Sequence, residues 1–399
     1  MELTSSHPYW SLKNGLPETY PSLDRDITTE IAVLGGGVTG ALVAWQLAKA
    51  GFDVTVFDKR DIGAGSTSAS TALLQYEIDE PLHTLVKKAG LKRARESYLA
   101  CYQAIDELEQ IVKEEKLDVD FERKPSLQYA SYKKDVHELE EEARNRACIG
   151  IDSEMLTPEE LEAKFHIDAP GALYSEQGAQ VDPYKLTYAL LNKGYENLNV
   201  FDKTEITAIR PDKKLVKLVT AGEHTVTARK LVIAAGYESQ AYIPYKVVAL
   251  HSTYAIISEV NEEKELWYKN ALIWETKVPY LYLRTTADNR ILIGGRDDDF
   301  QTPEKRDKLL EKKAAQLEND FNELMPRIPF KTDFRWAGTF GETTDSLPYI
   351  GCIPQLPNTF FALGFGGNGI TFSLLGARII RDLLQGTKNP YQETFAFKR

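Results

Sequence analysis

Cysteine is scarce in this chain: Cys101, Cys148 and Cys352 are the only three in 399 residues, with no Cys-x-x-Cys pair among them. They show no metal-ligand spacing either, and the expected compartment is reducing and cytoplasmic. Long apolar runs are missing as well. No stretch approaches the length that spans a bilayer, and no integral membrane segment is expected. The opening "MELTSSHPYWSLKNG" lacks the basic start and apolar core of a signal peptide. Basic residues are outnumbered, 48 against 59 acidic, for a net charge of −11. Nucleic acid and anionic membrane would be repelled on average, and no nucleic-acid partner is expected. Internal repeats and low-complexity segments are also absent. With 43% hydrophobic residues, the chain has enough apolar material for a sizeable core.

Against these absences stands one dense local signal, "VLGGGVTGALVAWQLAKAGFDVTVFDK", from Val33 to Lys59. Ile31–Leu34 reads as a buried strand, Val38–Ala50 as a helix and Asp53–Phe57 as a second strand. This βαβ opening favours a parallel sheet. Gly35, Gly37 and Gly40 supply Gly-x-Gly-x-x-Gly between strand and helix. Their expected tasks are the tight turn, the approach of backbone to a pyrophosphate, and close helix–strand packing. The helix N-terminus adds amide groups and a positive dipole end. Asp58, 23 residues after Gly35, ends the second strand where an acid can bind ribose hydroxyls. The combination predicts dinucleotide binding.

Three further segments favour FAD over NAD. "GAGSTSASTALL" (Gly63–Leu74) is a run of small residues that lets backbone lie against a planar ring. "KLVIAAGYES" ends a distant strand in Ala234, Ala235 and Gly236. "FFALGFGGNGITFSLLGARIIRDLLQG" is a strand, a glycine loop (Gly364–Gly369) and a helix whose N-terminus can stabilise negative charge. Elsewhere, residues 1–28 read as an irregular arm, and "HELEEEARNR" (His137–Arg146) as a helix with a solvated charged face. Residues 246–300 are β-rich and aromatic, and 304–325 form a charged helix.

These motifs, with "HPYWSL", "YSEQGAQVDPYKLTYAL" and "TTDSLPYIG", resemble the D-amino-acid-oxidase-like family of FAD-dependent oxidoreductases over nearly the whole chain. The resemblance implies an α/β chain, α+β overall, in which a Rossmann-like FAD/NAD(P)-binding domain is interleaved with an antiparallel β-sheet substrate domain. The expected segments are 1–120, 172–245 and 335–399 for FAD, and 121–171 and 246–334 for substrate. By carry-over, Gly35, Gly37 and Gly40 face the pyrophosphate, and Asp58 and Lys59 the adenosine ribose. Ser66, Thr67 and Ser68 fall at the phosphate and flavin loop, and Glu205 and Ile206 at adenine. Ala235 and Gly236 close the distant strand. Gly367, Asn368, Gly369, Ile370 and Thr371 fall beside the flavin pyrimidine.

The chain departs from its relatives at several positions. The loop that carries a flavin-linking histidine in some members reads Gly65-Ser66-Thr67-Ser68-Ala69. The linking cysteine of others corresponds to Gly338, with Cys352 on the wrong side, so non-covalent FAD is expected. Phe340-Gly341 replaces an Arg-Pro pair whose arginine clamps a substrate carboxylate bidentately. Arg284 and Arg296 are alternative clamps. Phe340 with Tyr254, Tyr280 and Tyr282 suggests an aromatic pocket suited to an amine-bearing chain. Leu292 stands where a lysine assists oxygen activation, which leaves O2 or another acceptor open. His251 is the candidate base. The implied reaction is oxidation of an amine or amino acid at a C–N bond to an imine by hydride transfer to flavin N5. Two readings stand beside it, a hydroxy-acid oxidoreductase and a non-catalytic flavoprotein sensor or scaffold.

Overall fold

A computed structural model of the chain describes residues 1–364 and 366–399; Phe365, within the C-terminal glycine loop, lies outside the described residues. The strand Ile27–Leu34 runs parallel to Val54–Phe57 on one side and to Thr225–Ile233 on the other. Leu198–Phe201 and Thr359–Leu363 add further parallel pairings, and Ile206–Pro211 with Val216–Thr220 extends the sheet antiparallel. The strand cores are buried on both faces, which is why they read as continuous apolar runs rather than alternating ones.

The helix Val38–Lys49 buries every residue from Gly40 to Ala48. It is packed against Pro183–Leu191 and Gly369–Gln385 as well as the sheet, so an apolar stripe on one side would not suffice. Gly35 adopts φ +112°, a backbone conformation that a side chain resists. A Cβ on Gly40 would lie 1.8 Å from the Gly35 carbonyl oxygen. Those two glycines let strand turn into helix without a gap.

A second, nine-stranded sheet holds, in spatial order, Thr4–Ser5, Thr332–Glu342, Ala249–Ser258, Ile291–Asp298, Tyr282–Thr285, Leu272–Glu275, Ser126–Tyr129, Ala172–Ser175 and Glu154–Leu156. Its pairings are antiparallel except where Leu272–Glu275 meets Ser126–Tyr129. The helix Pro303–Leu324 covers one face. The Rossmann-like sheet and this one share the chain by interleaving, as the resemblance implied.

Three expectations change. The boundary at 335 cuts the continuous strand Thr332–Glu342, and 172 begins the strand Ala172–Ser175, and both of these strands belong with the second sheet. The N-terminal arm is not irregular throughout. Tyr9–Asn14 is helical, Tyr9 and Trp10 are buried, and the Trp10 indole N–H donates to the Ser70 carbonyl at 2.7 Å. The charges of His137–Arg146 are not all solvated. Within the helix Asp135–Cys148, Glu142 and Arg146 are each 2% exposed and paired at 2.8 Å. Helical spacing alone put them on one face, but it could not show that Tyr76 and Tyr98 cover that face.

No helix among the described residues is long and apolar enough to cross a membrane.

Candidate FAD and substrate site

A single elongated cavity runs from the first glycine turn to the inner face of the nine-stranded sheet. At one end Gly35 and Gly37 line it beside Asp58, Lys59, Glu205 and Ile206. The Asp58 carboxylate accepts from the Gly36 N–H at 2.7 Å and from the Arg60 N–H at 2.9 Å. Burial pushes the Asp58 carboxyl up from its ordinary range, and these two backbone donors pull it back. Lys59 and Arg60 both pair with Glu238 at 2.8 Å, closing this end with a compact charge cluster. Thr67 lines the cavity and accepts from the Val38 N–H at 3.0 Å, so it braces the first turn of the helix.

Along the middle lie Ser66, Ala235, Gly236, Gly367, Asn368, Gly369 and Ile370. The Asn368 side chain donates to the Gln75 and Glu77 carbonyls at 2.8 and 2.9 Å, which ties the C-terminal glycine loop to segment 75–77. Asp79 accepts from the Gly367 N–H at 2.8 Å and from the Tyr280 hydroxyl at 2.9 Å. Trp274, Tyr280, Tyr282 and Phe340 form the far wall.

Several expected residues fall elsewhere. Gly40 packs behind the turn and does not line the cavity. The Ser68 hydroxyl donates to the Gly65 carbonyl and the Thr371 hydroxyl to the Asn368 carbonyl, so both serve their own backbone. Tyr254 borders the cavity, but its ring turns to the helix-covered face of its strand. There its hydroxyl donates to Asp298 at 3.0 Å, and Lys313 sits 5.1 Å from the ring centre. His251 meets Asp299 at 3.1 Å outside the cavity. Arg296 is bound bidentately by Asp320 on the outer helix.

Arg284 is 1% exposed and donates to the carbonyls of Ala72 and Val181, with Trp10 stacked 5.1 Å away. Burial pushes its guanidinium down to about 10. It therefore joins the N-terminal arm to the sheet instead of clamping a substrate. Arg284→Met should cost about 2–3 kcal/mol of stability, the scale of hydrogen bonds made by a charged donor. Denaturant midpoints would register that loss. The ratio of KM values for carboxylate-bearing and neutral amines should stay within twofold of about 1 relative to the parent, and a selective loss of carboxylate binding would restore the clamp.

Sequence reasoning missed Glu77, Asp79, Thr253, Trp274 and Asp297, all of which line the cavity. None belongs to a motif. Only the acidic run after Gly294-Gly295 gave a signal, and it reads equally well as a surface turn.

The residues present suit an FAD. The cavity is long and continuous, backbone and small side chains form its middle, and two helix N-termini open on it without side-chain caps of their own. The Ser66 hydroxyl is buried there with no hydrogen-bond partner, a polar group positioned for a ligand.

Comparison with known proteins agrees with this geometry. The family model described as "FAD dependent oxidoreductase" (DAO) matches residues 30–383. The chain is 29% identical over 408 residues to gamma-glutamylputrescine oxidoreductase of Escherichia coli K12, covering 96% of this chain and 90% of that one. It is 26% identical to glycine oxidase of Geobacillus kaustophilus, over 89% of this chain and 93% of the relative. The crystal structure of glycine oxidase from that organism superposes with a TM-score of 0.75 at 23% identity, covering 93% of this chain and 99% of that one. A glycine turn, a braced helix N-terminus and a closing C-terminal loop on one cavity, within a family match spanning most of the chain, place this protein in the DAO family of FAD-dependent oxidoreductases.

Proposed function

We propose that the protein oxidises the C–N bond of an amine or amino acid to an imine, with non-covalently held FAD as the electron acceptor. The observation that carries this reading is the aromatic wall of Trp274, Tyr280, Tyr282 and Phe340 at the inner end of the cavity. Relatives whose names give gamma-glutamylputrescine and glycine as substrates support it.

When bound, FAD supplies the two-electron acceptor that the protein side chains lack. Gly35, Gly37 and the amides opening Val38–Lys49 would hold its phosphates, and Asp58 with Glu205 and Ile206 its adenosine. The Gly366–Ile370 segment would hold the flavin end. The substrate C–H leaves with its electron pair while the nitrogen lone pair closes the C=N bond, and the nitrogen proton passes to water. The aromatic wall orients the carbon that loses hydrogen and keeps bulk water off it. Water later adds to the released imine, giving a carbonyl compound and ammonia, or an amine where the nitrogen was substituted. The Tyr280 hydroxyl is held well above its usual range by burial and by Asp79, so it stays a neutral donor committed to that carboxylate.

Anaerobic addition of amines, amino acids and hydroxy acids to the yellow holoprotein tests this reading. Bleaching of the flavin by an amine is the expected result, and bleaching only by hydroxy acids would overturn it. Non-covalent attachment has its own check. Acid precipitation should release the flavin into the supernatant as intact FAD, because Ser66 to Ala69 and Gly338 offer no nucleophilic histidine or cysteine. Flavin retained on the pellet would contradict it.

A further inference from the structure

The strand Ile291–Asp298 contains an irregularity that decides the charge inside the cavity. Tyr254 pairs with Gly295 and Ser252 with Asp298, so one residue, Thr253, faces two, Arg296 and Asp297. This is a β-bulge, and Arg296 sits in the left-handed region at φ +58°. In a regular strand, residues two apart share a face. Gly294 would then be followed on the cavity side by Arg296. The bulge reverses that order. Arg296 is pinned to Asp320 and Asp298 to Lys313, both on the outer helix, and Asp297 turns inward.

Asp297 arrives in the cavity without a counter-charge. Its Oδ1 is buried and has no hydrogen-bond partner. Burial raises its carboxyl to about 6, with Glu342 and Asp79 adding to the effect, while Thr253 and His251 oppose it. Asp79 is already engaged by Gly367 and Tyr280, and Glu77 faces Arg146 at 3.6 Å. Among the described lining residues the only Lys or Arg side chains are Lys59 and Arg60, at the opposite end and bound to Glu238. A buried carboxylate oxygen with no donor is costly, so the site is built for a cation that brings one. The surrounding rings of Trp274, Tyr280 and Tyr282 present π-faces and apolar surface suited to an alkylammonium chain.

We propose that the substrate carries a second, non-reacting cationic nitrogen that the Asp297 carboxylate anchors at the aromatic end of the cavity, making the substrate class a di- or polyamine. This rests on the amine-oxidising reading above and specifies its substrate. The reacting nitrogen must be neutral when its lone pair closes the C=N bond, so it is a poor partner for a carboxylate that favours protonated nitrogen. The anchored nitrogen is the other one. A carboxylate-ended amine would meet Asp297, Asp79 and Glu77 with like charge.

The test uses single-turnover anaerobic reduction of the holoenzyme by 1,4-diaminobutane, N-acetyl-1,4-diaminobutane, butylamine and 4-aminobutyrate. The concentration dependence of the reduction rate gives the Kd of each compound that bleaches the flavin, and titration against the oxidised flavin absorbance gives it for each compound that does not. Diaminobutane should reduce the flavin with a limiting rate over Kd about 10- to 100-fold above that of butylamine or the acetylated amine, the range of a hydrogen bond to a charged group. 4-Aminobutyrate should bind most weakly. Asp297→Asn should shrink the diaminobutane advantage to about twofold. Equal limiting rate over Kd for diaminobutane and butylamine with the parent protein overturns the anchor, and this comparison needs no variant. An Asp297→Asn change confined to the limiting rate and its pH profile also overturns it, in favour of a proton-accepting role. If no amine bleaches the flavin, the amine-oxidising reading falls, and the absorbance titration still decides the anchor.

Discussion

Gly37→Val should purify colourless. Gly37 ends the first glycine turn as the residue before the helix Val38–Lys49, and it lines the cavity directly. A Cβ there would already stand 2.9 Å from the Thr67 hydroxyl, the group that braces the Val38 N–H. The two further methyl groups of valine would displace that hydroxyl or project to where backbone must approach a pyrophosphate. Loss of the phosphate cradle removes the strongest charge-assisted contacts, so FAD occupancy should fall more than about 100-fold relative to the parent. Flavin absorbance per mole of protein measures it. The Gly37 backbone has φ −81°, which valine tolerates, so circular dichroism should show a folded chain. Full flavin content in a folded Gly37→Val protein would remove the central assignment. Asp58→Ala should have a smaller effect, since it leaves the phosphate cradle in place.

The second large effect is on stability and comes from the buried charge cluster behind the flavin end of the cavity. Glu142 accepts from Arg146 Nε at 2.8 Å, from the Leu82 N–H at 2.8 Å and from the Tyr98 hydroxyl at 3.2 Å. Arg146 also reaches the Tyr76 hydroxyl at 3.1 Å. Burial disfavours its charge, yet Tyr76, Glu142, Tyr98 and Glu77 together hold the guanidinium charged. Glu142→Ala would leave that charge buried without its main partner, a loss of about 3–5 kcal/mol. Chemical denaturation of the holoprotein should show a lowered midpoint with an unchanged slope. Because the cluster fixes residues 76–82, and Asn368 hangs from the Gln75 and Glu77 carbonyls, FAD affinity should weaken as well. The double variant Glu142→Leu with Arg146→Met should recover much of the stability, since it removes both buried charges at once. A Glu142→Ala protein as stable as the parent would mean that water reaches the cluster.

How much of this was legible beforehand follows from the range over which each interaction acts. The dinucleotide cradle is a local object: strand, glycine turn, helix and acid lie between Ile31 and Lys59, and backbone sterics tie glycine to the turn. The interleaving of two sheets was also readable, because apolar runs, glycine loops and β-rich aromatic stretches alternate along the chain. Charged helices were readable as helices but not as exposed or buried. In Asp135–Cys148 the same periodicity describes a solvated ion pair and the buried Glu142 and Arg146. Their burial depends on Tyr76 and Tyr98, between 44 and 70 residues away in sequence, a separation set by topology and not by local propensity.

By itself, then, the sequence determined the cofactor class and the family, since both rest on contiguous segments whose backbone conformation their own residues dictate. Tertiary structure decided which side chains face the substrate. Tyr254 and Arg296 were aromatic and cationic candidates on the right strands, and Asp297 was one of three consecutive acids. Strand periodicity is two, so one additional residue in the pairing of Ile291–Asp298 with Ala249–Ser258 exchanges the faces of all that follow it. That bulge sends Arg296 to Asp320 on the outer helix and Asp297 into the cavity, and only the paired partner strand reveals it.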